Sequence, residues 1–169
     1  MSDRKRVRKD RNLILARNTW NESEGKLFAT LIKELNPKNE NDFRTMEITL
    51  DELEKIWKVD INSSQIKDIC YSLQTKAYEI PLFREDGKTK RGYKYFNLFH
   101  NIVYEYDLRY IKFQFHDDMK PFLIDFANQF VNYDIENILQ FKSKYTLSFY
   151  EYFKLQTQFK KEKGILTNR

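Results

Sequence analysis

Two consecutive helical patterns joined by a short turn constrain this chain more than any other feature of its sequence. Thr49 and Glu52 have the spacing of a capping box, in which each side chain accepts a hydrogen bond from a backbone N–H that the first helical turn leaves free. The short helix that follows them places Leu53, Ile56 and Trp57 on one apolar face. A helix of this kind needs a partner against which that face is buried.

The second helix, over residues 63–76, is capped by Asn62 or Ser63 and has one apolar and one polar face. Its apolar residues recur at the spacing of a buried helix stripe. They are Ile66, Ile69, Cys70, Leu73 and Ala77. The opposite face is small, polar and partly basic. Two short helices joined by a tight turn, the second with such an outer face, are typical of a helix-turn-helix.

The rest of the sequence supplies the other elements of a small α+β domain. Asn21 and Glu24 form another capping box and open a helix that ends at Asn36 and Pro37. β-rich runs and a charged loop with two glycines follow the helix-turn-helix. The predicted elements are strands at 45–48, 78–83, 93–106 and 111–115, a loop at 84–92, a helix at 119–126 and a helix from 138 with a possible break near Ser143. This order predicts a winged helix, with its wing at 84–92, and additional C-terminal helices.

The length and the N-terminal composition suggest one domain with simple flanks. We expect a basic flexible arm and entry segment at 1–17, because its first stretch shows no apolar periodicity. A single winged-helix domain is expected at 18–160. Residues 161–169 are expected to form a tail or the start of a linker.

Positive charge is concentrated at the two ends of the chain. The net charge is +5, yet residues 1–17 alone hold seven cations against two carboxylates, and residues 142–169 hold the same numbers. The residues between them therefore sum to −5. Positive patches attract a polyanion such as nucleic acid, although basic ends also occur in proteins that bind none.

The sequence shows no catalytic or metal-binding pattern. His100 and His116 are far apart, neither has a neighbour at metal-ligand spacing, and Cys70 falls on a buried stripe. There is no glycine loop that would hold phosphates, and no His-x-His pair of the kind that DNA-nicking initiators use. We therefore expect no enzyme activity, no cofactor and no metal.

A cytoplasmic location is the expectation from the cysteine count and the hydropathy. One cysteine permits no internal disulfide, which suits a reducing compartment. No run approaches the length of a membrane span, and the N-terminus lacks the apolar segment of a signal peptide.

Thirteen residues are candidates for contact with DNA. Polar groups at a helix start meet phosphates or base edges, and loop cations suit phosphate contacts. The candidates are Ser63, Ser64, Gln65, Lys67 and Lys76 on the second helix of the pair, Lys88, Lys90, Arg91 and Lys94 at the charged loop, Lys142 and Lys144 at a helix start, and Arg8 and Arg11 in the arm. For each group the alternative is an ordinary solvated surface.

The aromatic side chains allow a second kind of nucleic-acid contact, in which bases of a single strand stack on exposed rings. Most of the rings fall at inward positions, so we expect them in the core. Tyr145 falls on the apolar stripe of its helix, and a structural role is the expectation for it.

Four stretches carry a resemblance to a known family. They are residues 7–17, 22–35, 115–123 and 137–151. The last contains Lys142-Ser143-Lys144-Tyr145-Thr146 and is the most specific, with Thr146 where the family has Ser. Together they resemble the iteron-binding initiators of plasmid replication, which are built from tandem winged helices.

The resemblance implies a bacterial protein whose domain binds double-stranded DNA repeats at a plasmid origin and helps to start replication without chemistry of its own. It also implies monomers on the repeats, a homodimer as the resting form and possible contact with host replication proteins. Family members carry a second winged helix, to which the resemblance assigns much of the recognition of the repeat sequence. Whether this chain is a fragment or a shortened relative stays open.

Two other functions fit the same residues. In the first, the domain is a dimerisation or protein-interaction module with little DNA affinity. Two copies would then join through residues 93–115 or through an aromatic surface. Alternatively it is a transcriptional regulator, because one fold serves several functions.

Overall fold

The computed structural model describes residues 5–16, 20–35, 43–124 and 130–162. Its helices and strands form an α+β domain, as predicted. In chain order they are β1 (Arg6–Asp10), α1 (Arg11–Leu15), α2 (Glu22–Lys33), β2 (Met46–Thr49), α3 (Leu50–Trp57), α4 (Ser63–Thr75), β3 (Ala77–Phe83), β4 (Lys90–Asn97), β5 (Phe99–Glu105), β6 (Tyr110–Phe115), α5 (Lys120–Leu123), β7 (Phe130–Asp134), α6 (Glu136–Leu139) and α7 (Lys144–Glu162).

The two predicted capping boxes are confirmed at the atoms that form them. Asn21 and Glu24 each accept a hydrogen bond from the other's backbone N–H, both at 2.9 Å, at the start of α2. Thr49 and Glu52 make the same reciprocal pair at 2.9 and 3.1 Å at the start of α3. Capping fixes where each helix begins, because it satisfies N–H groups that have no partner inside the helix.

α3 and α4 form the predicted helix-turn-helix. α3 ends at Trp57, and the left-handed backbone of the next residue, Lys58 (φ 57°), stops the helix. The Glu54 Oε1 atom accepts a hydrogen bond from the Ile61 N–H at 3.1 Å and holds the turn against α3. Asn62 caps α4, because its Oδ1 atom accepts a hydrogen bond from the Ser64 N–H at 2.8 Å.

The inner face of α4 packs into the single hydrophobic core. Ile66 and Leu73 are fully buried, and Ile69 and Cys70 are buried beside them. Ala77, the last member of the predicted stripe, instead begins β3 and is exposed. The helix is therefore anchored along its apolar face, and its polar face points away from the core.

Three antiparallel sheets lie in the described part of the chain. The first has the strand order β2-β6-β5, the second is the hairpin β3-β4, and the third pairs β1 with β7. The run predicted as one strand at 93–106 is two strands, β4 and β5, in different sheets. Leu98 separates them and is fully buried.

The wing of this winged helix is not the loop that the sequence predicts. In a winged helix, the wing is the hairpin turn of the sheet that includes the strand between the first two helices. That strand is β2, which pairs with β6, so the wing is the turn at 106–109 between β5 and β6. The loop at 84–92 belongs to the separate β3-β4 hairpin, called the inserted hairpin below. The prediction of the wing at 84–92 failed because the pairing of strands depends on packing between residues far apart in the sequence.

The predicted flexible arm is wrong for its described residues. Residues 6–10 form β1, which pairs with β7, a strand that was not predicted. Val7, Lys9 and Asp10 are buried. A buried lysine broke the apolar alternation that would have revealed a strand. Residues 1–4 and 17–19 lie outside the described residues.

The C-terminal helices follow the prediction, with different lengths. The predicted helix at 119–126 is a 3-10 turn at Asp117–Met119 followed by α5, and Phe126 lies outside the described residues. The break near Ser143 is confirmed between α6 and α7. α7 runs to Glu162, two residues into the predicted tail, whose residues 163–169 lie outside the described residues. No described helix is long and apolar enough to cross a membrane.

A buried ion pair joins β1 to α7. Lys9 Nζ lies 2.6 Å from Glu151 Oε1, and both side chains are less than a tenth exposed. Tyr133 of β7 donates its hydroxyl to the same carboxylate oxygen. Burial and the charge of Glu151 hold the pKa of Tyr133 well above its ordinary value. The two ends of the domain are therefore locked together through one carboxylate.

Replacing Glu151 with Gln is expected to lower the free energy of unfolding by about 3 kcal/mol, because the Lys9 ammonium would stay buried without a counter-charge. The matched control is Glu22→Gln, which removes the partner of Lys26 in a more exposed pair on α2 and is expected to cost less than about 0.5 kcal/mol. Urea unfolding of the two variants measures both values. Equal shifts of the two unfolding midpoints would contradict the role assigned to Glu151.

Candidate nucleic-acid interface

The N-terminal half of α4 presents the polar face that the sequence predicts. Ser63, Ser64, Gln65 and Lys67 are all exposed. The Asn62 Oδ1 atom accepts hydrogen bonds from the N–H groups of both Ser64 and Gln65, at 2.8 and 3.4 Å. Because these two N–H groups already have a partner within the chain, contact with a ligand falls mainly to the side chains.

A polar groove of about 720 Å³ lies between the start of α2 and α4, with Glu24 at its wall. Glu24 accepts a hydrogen bond from Ser72 Oγ at 2.6 Å and forms an ion pair with Lys76. Burial opposes ionisation of Glu24, but hydrogen bonds from Lys76 and Ser72 hold its pKa below the ordinary value. The charge of Lys76, predicted to contact DNA, is therefore engaged inside the domain. The structure does not group Lys76 with the exposed residues at the start of α4.

The inserted hairpin carries four of the predicted cations in two kinds of environment. Arg91 Nε donates a hydrogen bond to the Phe83 carbonyl at 3.0 Å, and Lys94 Nζ lies 2.7 Å from Asp118 Oδ1. Lys88 and Lys90 are exposed at the tip. Arg91 thus joins the two strands of the hairpin, and Lys94 joins the hairpin to the 3-10 turn. Lys88 and Lys90 are better placed to meet a ligand.

The tip of the inserted hairpin has a defined structure. Asp86 Oδ1 accepts hydrogen bonds from the N–H groups of Lys88 and Thr89, both at 2.8 Å. Hydrogen bonds from Thr89 and Lys88 hold the pKa of Asp86 below its ordinary value. Gly87 occupies the left-handed region (φ 65°), where a side chain would be strained. These contacts fix the backbone that carries Lys88.

The wing at 106–109 was missed by the sequence analysis and differs in character from the predicted one. Tyr106 and Leu108 are 68% and 69% exposed. Arg109 has a left-handed backbone (φ 51°), and its guanidinium pairs with Glu54 at 3.0 Å and with Asp51 at 3.5 Å. The one cation within residues 106–109 is therefore tied to α3, and the wing is poorly suited to bind phosphate.

The remaining predicted cations lie on other elements. Arg8 is half-buried on β1, and Arg11 is exposed at the start of α1. Lys142 is exposed before α7, which begins at Lys144, a residue whose side chain lies outside the described part. α1 and α7 pack against each other, whereas α4 packs against α2 and β5. The structure thus places Ser63, Ser64, Gln65 and Lys67 together on α4 and the terminal candidates on other elements.

The aromatic residues are divided between the core and the surface. Phe28 is in the core, with its ring centre 4.4 Å from that of Trp20 and 6.2 Å from that of Phe99. Tyr145, expected on the apolar stripe of its helix, is 65% exposed, and its structural role stays a prediction. Tyr71, which the sequence analysis did not select, lies on α4 and is 73% exposed. Its place opposite the buried stripe was the signal that it belongs to the outer face.

The two histidines are far apart in the sequence but adjacent in space. The ring centres of His100 and His116 lie 4.5 Å apart, because β5 and β6 pair beside them. His116 Nδ1 accepts a hydrogen bond from the Asp118 N–H at 3.2 Å and so caps the 3-10 turn. Within the described residues, no group of three or more His, Cys, Asp and Glu side chains is arranged to hold a metal ion.

Comparisons with known proteins point to one family and one fold. The family described as "Initiator Replication protein, WH1" matches residues 6–154. No curated protein sequence matches the chain significantly. The Pi initiator protein, solved in complex with iteron DNA, is similar in structure with a TM-score of 0.66 at 15% identity. The match covers 91% of this chain and 65% of that one.

A second solved structure is the WH1 domain of MSBI1.176, a replication protein isolated from a multiple sclerosis patient. It has 14% identity and a TM-score of 0.39, and the match covers 59% of this chain and 75% of that one. The match to the Pi initiator covers less than two thirds of that chain's length.

Cys70 provides a test of how firmly α4 is anchored. Burial raises the pKa of its thiol from the ordinary 9.0 to about 12. Because the thiolate is the reacting form, we expect the folded protein at pH 8 to react with a thiol reagent at least about a hundredfold more slowly than the urea-unfolded protein. Absorbance after addition of an aromatic disulfide measures both rates. Equal rates would show that α4 leaves the core readily.

Proposed function

This chain belongs to the initiator replication protein family, of which it contains the WH1 region, and we propose on this basis that it binds double-stranded repeat DNA at a plasmid origin and helps to start replication. The observation that carries the proposal is the exposed polar face at the start of α4. This face projects from a helix-turn-helix whose second helix is anchored in the core.

The chemistry of this face suits recognition of base edges in the major groove. Gln65 carries an amide that forms two hydrogen bonds with adenine, and Ser63 and Ser64 are short enough to permit close approach. Lys67, one turn further along, suits a guanine edge or a phosphate. The polar character of the face favours specificity over general attraction, because sequence-independent affinity comes mainly from cations that neutralise phosphates.

The similarity to the Pi initiator supports the fold of this proposal, and its recorded complex with iteron DNA suggests the ligand. That chain is longer, so initiation by the whole protein, including any contact with host replication proteins, is part of the proposal. We propose that the domain acts by binding alone, without catalysis, and in the bacterial cytoplasm, where plasmid DNA is replicated.

The other predicted cations keep secondary roles in the proposal. Lys88, Lys90 and Arg8 suit phosphate contacts that position a protein without selecting a sequence. Arg11 and Lys142 are exposed on other elements and would add attraction that falls as salt rises.

Homodimer formation is a second proposal, favoured by one strand edge. Within the described residues, β5 pairs with β6 on one side only. Val103 on this strand is 41% exposed. An unpaired edge offers N–H and carbonyl groups to a second copy, which would extend the sheet across a two-fold axis.

The DNA proposal is tested by fluorescence anisotropy with an origin-repeat duplex and a scrambled duplex over a salt series. We expect Gln65→Ala to weaken binding to the repeat about tenfold while leaving the scrambled duplex unaffected, since a base contact carries about 1–3 kcal/mol of discrimination. Lys67→Ala tests the same face of α4 by removing a cation that suits a guanine edge or a phosphate. Gln156→Ala, an exposed glutamine on α7, is the matched control and is expected to have no effect.

Two outcomes would contradict the proposal. Equal affinity of the unmodified chain for both duplexes at physiological salt would remove sequence recognition from this domain. An effect of Gln156→Ala as large as that of Gln65→Ala would move the interface away from α4.

The dimer proposal is tested with Val103→Lys. A lysine on an exposed strand edge disfavours pairing with another strand, so the variant is expected to remain monomeric at concentrations where the unmodified chain pairs. Thr157→Lys on α7 is the control, because it adds the same charge at an exposed position. Analytical ultracentrifugation measures the masses. A dimer that persists in Val103→Lys would show that another surface forms it.

A further inference from the structure

Two surfaces of this domain combine opposite charge with exposed apolar side chains. The basic one, the hairpin surface, is defined by Phe83, Lys88, Lys90 and Tyr93 on the inserted hairpin. Residues 84–94 hold five cations against two carboxylates, a formal charge of +3, and one of these cations, Lys94, is paired with Asp118 outside this range.

The wing surface is defined by Val59, Asp60, Tyr106, Asp107 and Leu108. Residues 51–60 and 105–109, which build it, hold six carboxylates against three cations, a formal charge of −3. Its apolar members are 54–69% exposed, and both carboxylates are exposed beside them. Like the hairpin surface, it combines exposed apolar and charged side chains, but its charged side chains are carboxylates where those of the hairpin surface are lysines.

The two parts of the wing surface are held together by Glu54. Its Oε1 atom accepts a hydrogen bond from the Ile61 N–H at 3.1 Å and another from Arg109 Nη2 at 3.0 Å. The first contact fixes the turn of the helix-turn-helix, and the second fixes the wing. Val59 and Leu108, which flank these contacts, are thus presented from one preformed unit. A preformed surface loses little conformational entropy when a partner binds.

The hairpin surface is also preformed. Phe83 is 41% exposed and Tyr93 is 48% exposed, on neighbouring strands of the inserted hairpin. Lys90 Nζ lies 5.9 Å from the centre of the Tyr93 ring. The Asp86 side chain fixes the tip that carries Lys88. Aromatic rings with lysines beside them suit a partner that offers apolar side chains and carboxylates.

We propose that the hairpin surface of one copy of this chain docks on the wing surface of a second copy, in a head-to-tail arrangement. The complementary formal charges, +3 and −3, favour this occupant. DNA does not suit the wing surface, because carboxylates repel phosphates. A two-fold pairing of like surfaces would bring equal charges together. A contact between two different surfaces leaves one of each free, so it adds further copies in a row.

This arrangement agrees with binding to repeats. Copies bound to tandem repeats share one orientation along the DNA, which is the relation that a head-to-tail contact requires. That consequence rests on the proposed function. The contact itself does not, and it is tested without DNA so that failure of one proposal is distinguishable from failure of the other.

The experiment is sedimentation equilibrium of the whole chain without DNA, at about 50 mM salt and over a concentration series. We expect the average mass to rise beyond two copies, and to fall when salt is raised, because exposed charges are screened. Lys88→Glu with Lys90→Glu is expected to weaken this association at least tenfold. Asp60→Lys with Asp107→Lys is expected to do the same. The average mass of either double variant should not exceed that of two copies, which is the limit for a dimer formed through the edge of β5.

The decisive step is to mix the two double variants in equal amounts. Each variant then carries the surface that complements the other, so association beyond two copies is expected to return. The controls are Glu136→Lys and Lys160→Glu, which reverse exposed charges on α6 and α7 and should change nothing. Circular dichroism establishes that each variant is folded. A mass that never exceeds two copies in the unmodified chain would overturn the proposal, and so would growth that survives both reversals or a mixture that fails to associate.

Discussion

Thr49 occupies the junction on which the arrangement of this domain depends. It is the last residue of β2, paired across the sheet with Tyr110, and its side chain caps α3. The next residue, Leu50, donates its N–H to the carbonyl of Arg109 in the wing at 2.9 Å. A cap usually contributes about 1 kcal/mol to stability, but this one also fixes the direction in which α3 leaves the sheet. The chain leaves the sheet as a helix with no linker between them, so the helix-turn-helix and the wing form one unit.

From this junction the packing determines which side chains remain for function. α4 is buried along one face, and its other face keeps small polar groups. Cations that look available in the sequence are engaged elsewhere: Lys9 by Glu151, Lys76 by Glu24 and Arg109 by α3. A count of basic residues therefore overstates the electrostatic attraction of the domain for DNA.

The parts of the fold that the sequence predicts are those set by local chemistry. The Asn21 and Thr49 caps and the apolar stripe of α4 depend on residues a few positions apart. Both caps were located correctly, and so was the stripe except for Ala77, which begins β3. Strand partners depend on packing across the whole chain. The wing was therefore assigned to the wrong hairpin, β1 and β7 were missed, and His100 and His116 were not expected to meet. In the candidate site, the residues at the start of α4 were predictable from periodicity, whereas the fate of Lys76 required the position of Glu24.

The distribution of charge separates two tasks that are often combined in one basic surface. In the proposed complex, polar contacts from Gln65 and its neighbours would depend weakly on salt, because hydrogen bonds to base edges release few counterions. The proposed contacts between the hairpin surface of one copy and the wing surface of another would depend strongly on salt, because the charges involved lie in water. Asp60, in the turn of the helix-turn-helix, and Asp107, in the wing, are exposed and would repel phosphates at the wing surface. On these two proposals, sequence recognition belongs to the start of α4, and the acidic wing surface binds another copy of the protein. Specificity and assembly then respond to different conditions, since ionic strength changes the number of copies that associate without changing which bases are recognised.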